Sequence, residues 1–131
     1  MIVLDTSAWI AWTSSPARLS PKAARAIADE ERRQGVLVSA ISAWEVAVKS
    51  AAGKLVLDRD VRAWIHFASS YPGLAVVPVD AADALESALL PGAFHDDPAD
   101  RMIVALARRL DCPIVTSDPA LRGYRHVKTL W

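Results

Sequence analysis

Four apolar runs along the chain are continuous rather than alternating: Ile2-Val3-Leu4, Val36-Leu37-Val38, Ala75-Val76-Val77-Pro78-Val79 and Pro113-Ile114-Val115. A strand with water on one face alternates apolar and polar residues, so unbroken runs of this kind mark strands covered on both faces, as in a parallel sheet between helices. Pro78 cannot donate to a ladder and places the third run at a sheet edge. A last short strand is expected around His126-Val127-Lys128. Between the runs the period changes to that of a helix. Ser20-Pro21 opens one through Gln34, with Ala23, Ala24, Ile27 and Ala28 as its buried stripe and Gly35 as a left-handed cap. Ser42-Ala43-Trp44-Glu45 fits a capping box, starting a helix that runs to about Ala52 and stops at Gly53. Val61, Trp64, Ile65 and Ala68 form the stripe of a helix begun near Asp58 or Asp60. Asp80 caps a helix that buries Leu85, Ala88 and Leu89 and ends at Pro91-Gly92. Ile103, Leu106, Ala107 and Leu110 line a helix from Pro98 to about Asp111. Trp9, Ile10 and Trp12 are expected in the core or in a subunit contact. The architecture predicted is α/β, a central and mostly parallel sheet of four to five short strands flanked by helices.

Composition narrows the class. At 131 residues and 53% hydrophobic the chain is expected to form one domain spanning 1–131, with a core of its own. Fifteen basic and fifteen acidic residues give no net charge, so no whole-protein field draws in a polyanion, and one would have to be held by a local patch or a metal. The single cysteine, Cys112, permits neither an internal disulfide nor a cysteine-rich zinc site, and is expected to be buried. The first residues carry no basic region, their apolar run is cut by Asp5, and no stretch approaches a membrane span, so a cytoplasmic setting is expected.

The chemistry concentrates in His95-Asp96-Asp97-Pro98-Ala99-Asp100-Arg101. Asp97 reads as an N-cap with Pro98 at the first helical position and Asp100 at the third, an arrangement that helix capping alone explains. Asp5, closing the first strand, and Asp118, before Pro119, read equally as caps. Glu45 has the capping box, and Lys49 at i+4 offers it a pair worth a few tenths of a kcal/mol. Taken together the acids mean more. In a parallel α/β domain strand C-termini and helix N-termini share one edge, so Asp5, Glu45, Asp100 and Asp118 are expected to meet in one crevice. Two helices separate the third and fourth strands, and the pattern leaves open how the first of them folds back.

Clustered carboxylates repel unless a cation joins them. Oxygen-only ligands suit Mg2+ or Mn2+ rather than zinc, and an acidic cleft loaded with such an ion suits a phosphodiester attacked by metal-activated water. Thr6, Ser7, Thr116 and Ser117 can orient ligands or phosphate, although Ser7 and Ser117 fit equally as helix-cap hydroxyls. Arg101, Arg122, Arg125 and Lys128 can bind phosphate, and Arg101 can instead pair with a neighbouring aspartate.

Ile2-Val3-Leu4-Asp5-Thr6-Ser7, Ser42-Ala43-Trp44-Glu45, the run from His95 to Arg101 and Thr116-Ser117-Asp118 together resemble the PIN-domain nucleases, and more narrowly the VapC toxins of type II toxin–antitoxin pairs. The resemblance spans essentially the whole chain. It implies a three-layer PIN-like (Rossmann-like) domain and a metal-dependent endoribonuclease whose catalytic and metal-binding acids are Asp5, Glu45, Asp100 and Asp118. Asp97 matches an acid at the rim of the site. Also implied are an RNA substrate, a VapB-type antitoxin that pushes a basic side chain into the acidic pocket, toxin–antitoxin hetero-oligomers, and a homodimer through the N-terminal helices, with Trp9, Trp12 and Trp44 as candidate anchors. Two rivals differ in class. A receiver-like phospho-acceptor module would need Asp80 at the end of a middle strand and leaves Glu45 and Asp100 unexplained. A PIN-like module that binds without cutting keeps the crevice and loses the chemistry.

Overall fold

The computed structural model, which describes Met1–Trp131, places five strands in one wholly parallel sheet. They are β1 (Ile2–Leu4), β2 (Val36–Ser39), β3 (Leu74–Val77), β4 (Ile114–Val115) and β5 (Thr129–Leu130), in the order β3-β2-β1-β4-β5. Seven helices connect them: α1 (Thr6–Ser14), α2 (Pro21–Arg32), α3 (Ala40–Ala51), α4 (Val61–Ser69), α5 (Ala81–Ala88), α6 (Pro98–Arg109) and α7 (Pro119–Arg122). The central strand is β1, which pairs Leu4 with Val38 on one side and with Val115 on the other. All three residues of β1 are buried, as its unbroken apolar run requires. The edge position of β3 agrees with Pro78, which follows its last residue.

Two apolar clusters cover the two faces of the sheet. One gathers Leu4, Trp9, Ile27, Val38 and Trp64; the other gathers Val3, Ile103, Leu106, Ile114 and Leu121. Trp9 and Trp64 meet edge-to-face at 5.0 Å between ring centres. Each also places its indole N–H, Trp9 on the Ala68 carbonyl at 3.3 Å and Trp64 on Ser14 Oγ at 2.9 Å. These contacts lock α1 to α4, so Trp9 is core, and Trp12 is buried with it against Tyr71. Helix α1 itself escapes the periodicity, because Ala8, Trp9, Ala11 and Trp12 are buried around most of its circumference.

Several local expectations are corrected. The left-handed residue after α2 is Gln34, at φ 57°, and not Gly35. A Cβ at Gly35 would stand 2.3 Å from Glu30 Oε2 and so displace that carboxylate. Ala24, assigned to the buried stripe, is exposed. Helix α3 starts earlier than the capping box implies: Ser39 is the N-cap, accepting from the Ile41 N–H at 3.3 Å, and Ser42 lies buried in the first turn. The last strand is Thr129–Leu130, because Ile114 N–H bonds the Lys128 carbonyl and Thr116 N–H that of Leu130. Asp80 is a solvent-exposed N-cap after the edge strand, accepting from the Asp83 N–H at 2.9 Å, which removes the phospho-acceptor reading.

The largest correction concerns α5. Leu85 and Leu89 are 58% and 64% exposed, Ala88 is exposed too, and Asp83 and Ser87 are buried in their place. The cause is Arg109 of α6, which forks onto Asp83 with Nε–Oδ1 at 2.6 Å and Nη2–Oδ2 at 3.0 Å. That bidentate pair turns the polar side of α5 inward and its apolar side out. The Asp83 side chain is only 4% exposed, so Arg109→Met should leave a buried carboxylate without a partner and cost about 3 kcal/mol. Asp83→Leu combined with Arg109→Met should recover most of that loss; urea unfolding midpoints check both.

Candidate active site

Strand β1 delivers Asp5 to the carboxyl end of the sheet, where its backbone N–H bonds the Val115 carbonyl at 3.2 Å. Asp5 caps a helix and is held from the sheet as well. Its Oδ1 accepts from the Ala8 N–H at 2.7 Å and starts α1, while its Oδ2 accepts from the hydroxyl of Thr116, the residue that follows β4. The same Thr116 oxygen accepts from the Asp118 N–H at 3.0 Å. One fully buried hydroxyl therefore ties two of the four acids together across the sheet. Asp118 in turn caps α7 through the Ala120 N–H at 2.9 Å.

Glu45 comes from the second turn of α3, one turn deeper than expected, and is buried. Lys49, four residues on, meets its Oε2 at 3.0 Å. Asp100 is third in α6, its N–H held by Asp97 Oδ1 at 2.9 Å, as the sequence pattern required. Its own Oδ2 lies 3.2 Å from His95 Nε2. His95 Nδ1 in turn accepts from the Asp97 N–H at 3.3 Å.

The acids sense one another. Burial, then the charges of Asp97, Glu45, Asp118 and Asp5, push Asp100 up to about 7. Burial also pushes Asp5 up to about 6, with Asp118 and Glu45 adding to it and the Thr116 and Ala8 hydrogen bonds working the other way. For Lys49 burial disfavours the ammonium, but Glu45, Asp97 and Asp100 outweigh it and hold its pKa above the usual range. Four side chains from four separate segments thus share one electrostatic environment, with Asp97 at its edge.

The supporting residues divide. Thr116 orders two acids, whereas Thr6 turns away to donate to Ser42 Oγ at 2.9 Å, bracing α1 against α3. Ser7 and Ser117 are exposed. Arg101 does not pair with a neighbouring aspartate: it donates to the carbonyls of Ser87, Phe94 and His95. Lys128 pairs with Asp111 at 3.1 Å. Sequence reasoning placed His95 in the stretch but gave it no role; its only local signal was a position five residues before Asp100.

All candidate ligands are carboxylate oxygens, the set Mg2+ and Mn2+ prefer, and two of the carboxyls are driven toward the neutral form by burial and mutual repulsion, the conflict a cation relieves. As the side chains stand, no three His, Cys, Asp or Glu groups form a ready metal cage. Glu45 is engaged by Lys49 and Asp100 by His95. The residue types fit the ion.

Buried acids set at the carboxyl edge of a five-stranded parallel sheet define a PIN domain, and the PIN domain family matches residues 2–127. The chain belongs to that family, in its VapC branch: it is 34% identical to Ribonuclease VapC22 of Mycobacterium tuberculosis over 99% of this chain and 98% of that protein. Solved structures share the fold. FitAcB from Neisseria gonorrhoeae has a TM-score of 0.65 at 23% identity, covering 98% of this chain and 96% of that one. VapBC2 from Rickettsia felis, bound to a DNA fragment from its promoter, has a TM-score of 0.69 at 13% identity, covering 98% and 97%.

The raised acids make stability depend on pH. Asp100 has an ordinary value of 3.8 and stands at about 7 in the folded chain, so the native state holds its proton more tightly than the unfolded one. The stability this contributes is complete below about pH 4 and is lost as pH rises toward 7. In chelator, Asp100→Asn should therefore gain in melting temperature over the parent as pH rises from about 4 to 7. A constant difference across that range would show that the crowding is absent.

Proposed function

We propose that this VapC-type PIN nuclease is a metal-dependent endoribonuclease, the toxin of a type II toxin–antitoxin pair acting in the cytoplasm, with residues 1–131 as its single nuclease domain. The observation that carries the reading is the meeting of Asp5, Glu45, Asp100 and Asp118 at one edge of the sheet, where burial, with the neighbouring carboxylates adding to it, pushes Asp5 and Asp100 up. These four would hold Mg2+ or Mn2+, with Asp97 at the rim. The chemistry such an ion supplies when bound is a nucleophile generated from water and positive charge against the phosphate. The chain's own contribution is placement. Thr116 fixes the Asp5 carboxylate and the Asp118 backbone, His95 fixes Asp100, and Lys49 adds a cation beside Glu45. Burial of Asp5 and Glu45 keeps bulk water from screening them.

A protein partner is supported by apolar surface that an isolated chain leaves wet. Leu85 and Leu89 stand out from α5. A groove of about 740 Å3 between α3 and α4 is walled by Trp44, Ala47, Val61 and Ile65, with Trp44 50% exposed. An antitoxin and a second copy of the chain are both proposed occupants of such surface. Trp9 and Trp12 are buried within the chain, so neither is free to anchor the dimer contact expected through the N-terminal helices. No helix is long and apolar enough to cross a membrane.

The purified chain, freed of any antitoxin, should cut single-stranded RNA with Mg2+ or Mn2+ and stop on chelation. Asp5→Asn and Asp100→Asn should each lower the rate at least about a hundredfold while leaving the circular dichroism spectrum unchanged. Wild-type cleavage by both variants would remove the assignment.

A further inference from the structure

Arg101 follows Asp100 on α6, yet its side chain leaves the acids and reaches backward. Its Nε donates to the Ser87 carbonyl at 2.8 Å, and Nη1 donates to the carbonyls of Phe94 and His95, both at 3.1 Å. Ser87 lies in the last turn of α5, where carbonyls lack helical partners and the helix dipole favours a cation. Phe94 and His95 lie in the stretch from Leu89 to Asp97, which has neither helix nor strand to satisfy its backbone. The ends of that stretch are held by the buried Leu90 side chain and by Asp97 capping α6, and its middle by the Tyr124 hydroxyl on the Pro91 carbonyl and the Phe94 ring against Tyr124 at 4.6 Å. It also carries the imidazole whose Nε2 lies 3.2 Å from Asp100 Oδ2.

We propose that Arg101 is a positioning residue: by clamping the Phe94 and His95 carbonyls to the end of α5, it sets the His95 ring against Asp100 and so fixes an acid of the active site. The inference rests on the nuclease reading above for its consequence in catalysis, but not for the placement itself. Arginine suits the task because its planar fork feeds several acceptors at set angles, where a lysine ammonium is a single point on a flexible stem. The alternative, a phosphate contact to RNA, leaves the three carbonyl bonds unexplained.

The test compares the full chain with Arg101→Gln, Arg101→Lys, His95→Ala and the double variant Arg101→Gln/His95→Ala, using saturation kinetics on a short RNA at two salt concentrations. Arg101→Gln and His95→Ala should each lower kcat roughly tenfold or more, because a displaced group costs rate rather than affinity. KM and the salt dependence should stay within about twofold of the parent. Arg101→Lys should not restore kcat, and the double variant should be no slower than the slower single variant, since both act through one chain of contacts. Losses that multiply, or a raised KM with weakened salt dependence, would overturn the proposal in favour of a phosphate contact. NMR of the histidine rings reads placement without any activity. In Arg101→Gln, or in Arg101→Lys if the first variant does not fold, the His95 signals should move toward those of a free imidazole while those of His66 on α4 stay fixed. Unmoved His95 signals refute the positioning role whatever the kinetics. A parent chain that cuts no RNA refutes the nuclease reading instead, and the ring signals still decide the clamp.

Discussion

Negative charge gathers at the carboxyl end of the sheet because separate segments reach that edge from different directions, and nothing local to any one of them demands it. Parallel strands joined by helices must all finish on one side, and the helices that follow begin there. Asp5 and Asp118 arrive from β1 and from just beyond β4, while Glu45 and Asp100 arrive from α3 and α6. Brought together and buried, carboxyls that would ionise readily in water are pushed toward the neutral form, Asp100 furthest. Such an arrangement persists only if the rest of the molecule holds it against its own repulsion.

What holds it is the core on both faces of β1. Val3 faces one apolar cluster and Leu4 the other, so the strand that carries Asp5 is fixed from two sides. Trp9 and Trp64 add a further tie between α1 and α4, and removing a buried side chain of that size costs about 3–5 kcal/mol. Against this background a few kcal/mol of carboxylate repulsion is sustainable, and the same rigidity keeps the acids from relaxing apart. Polar ties then set orientation: Thr116 between Asp5 and Asp118, Lys49 on Glu45, His95 on Asp100.

The acids serve two purposes that do not conflict. Asp5, Asp97 and Asp118 are true N-caps, each accepting a backbone N–H in the helix it begins. A cap lies at a helix N-terminus, and helix N-termini crowd the functional edge of this fold, so capping and gathering charge are met by the same residues. Reading each as a cap is right and incomplete.

How far the sequence alone determines this protein follows from the range of the forces involved. Unbroken apolar runs, caps and helical stripes are set by neighbours within a few residues, and they suffice for the parallel α/β sheet, for the edge position of β3 and for the acids at its carboxyl end. That Asp5, Glu45, Asp100 and Asp118 lie toward one edge was legible because the fold class dictates where strands end and the following helices begin. Partners distant in the chain decided the rest. Asp83 lies 26 residues from the Arg109 that turns α5 over, Arg101 lies 14 from the Ser87 carbonyl it holds, and Thr116 lies 111 from Asp5. No periodicity records such pairs, because what selects them is which side chains the packed helices bring within hydrogen-bonding distance once the sheet has formed.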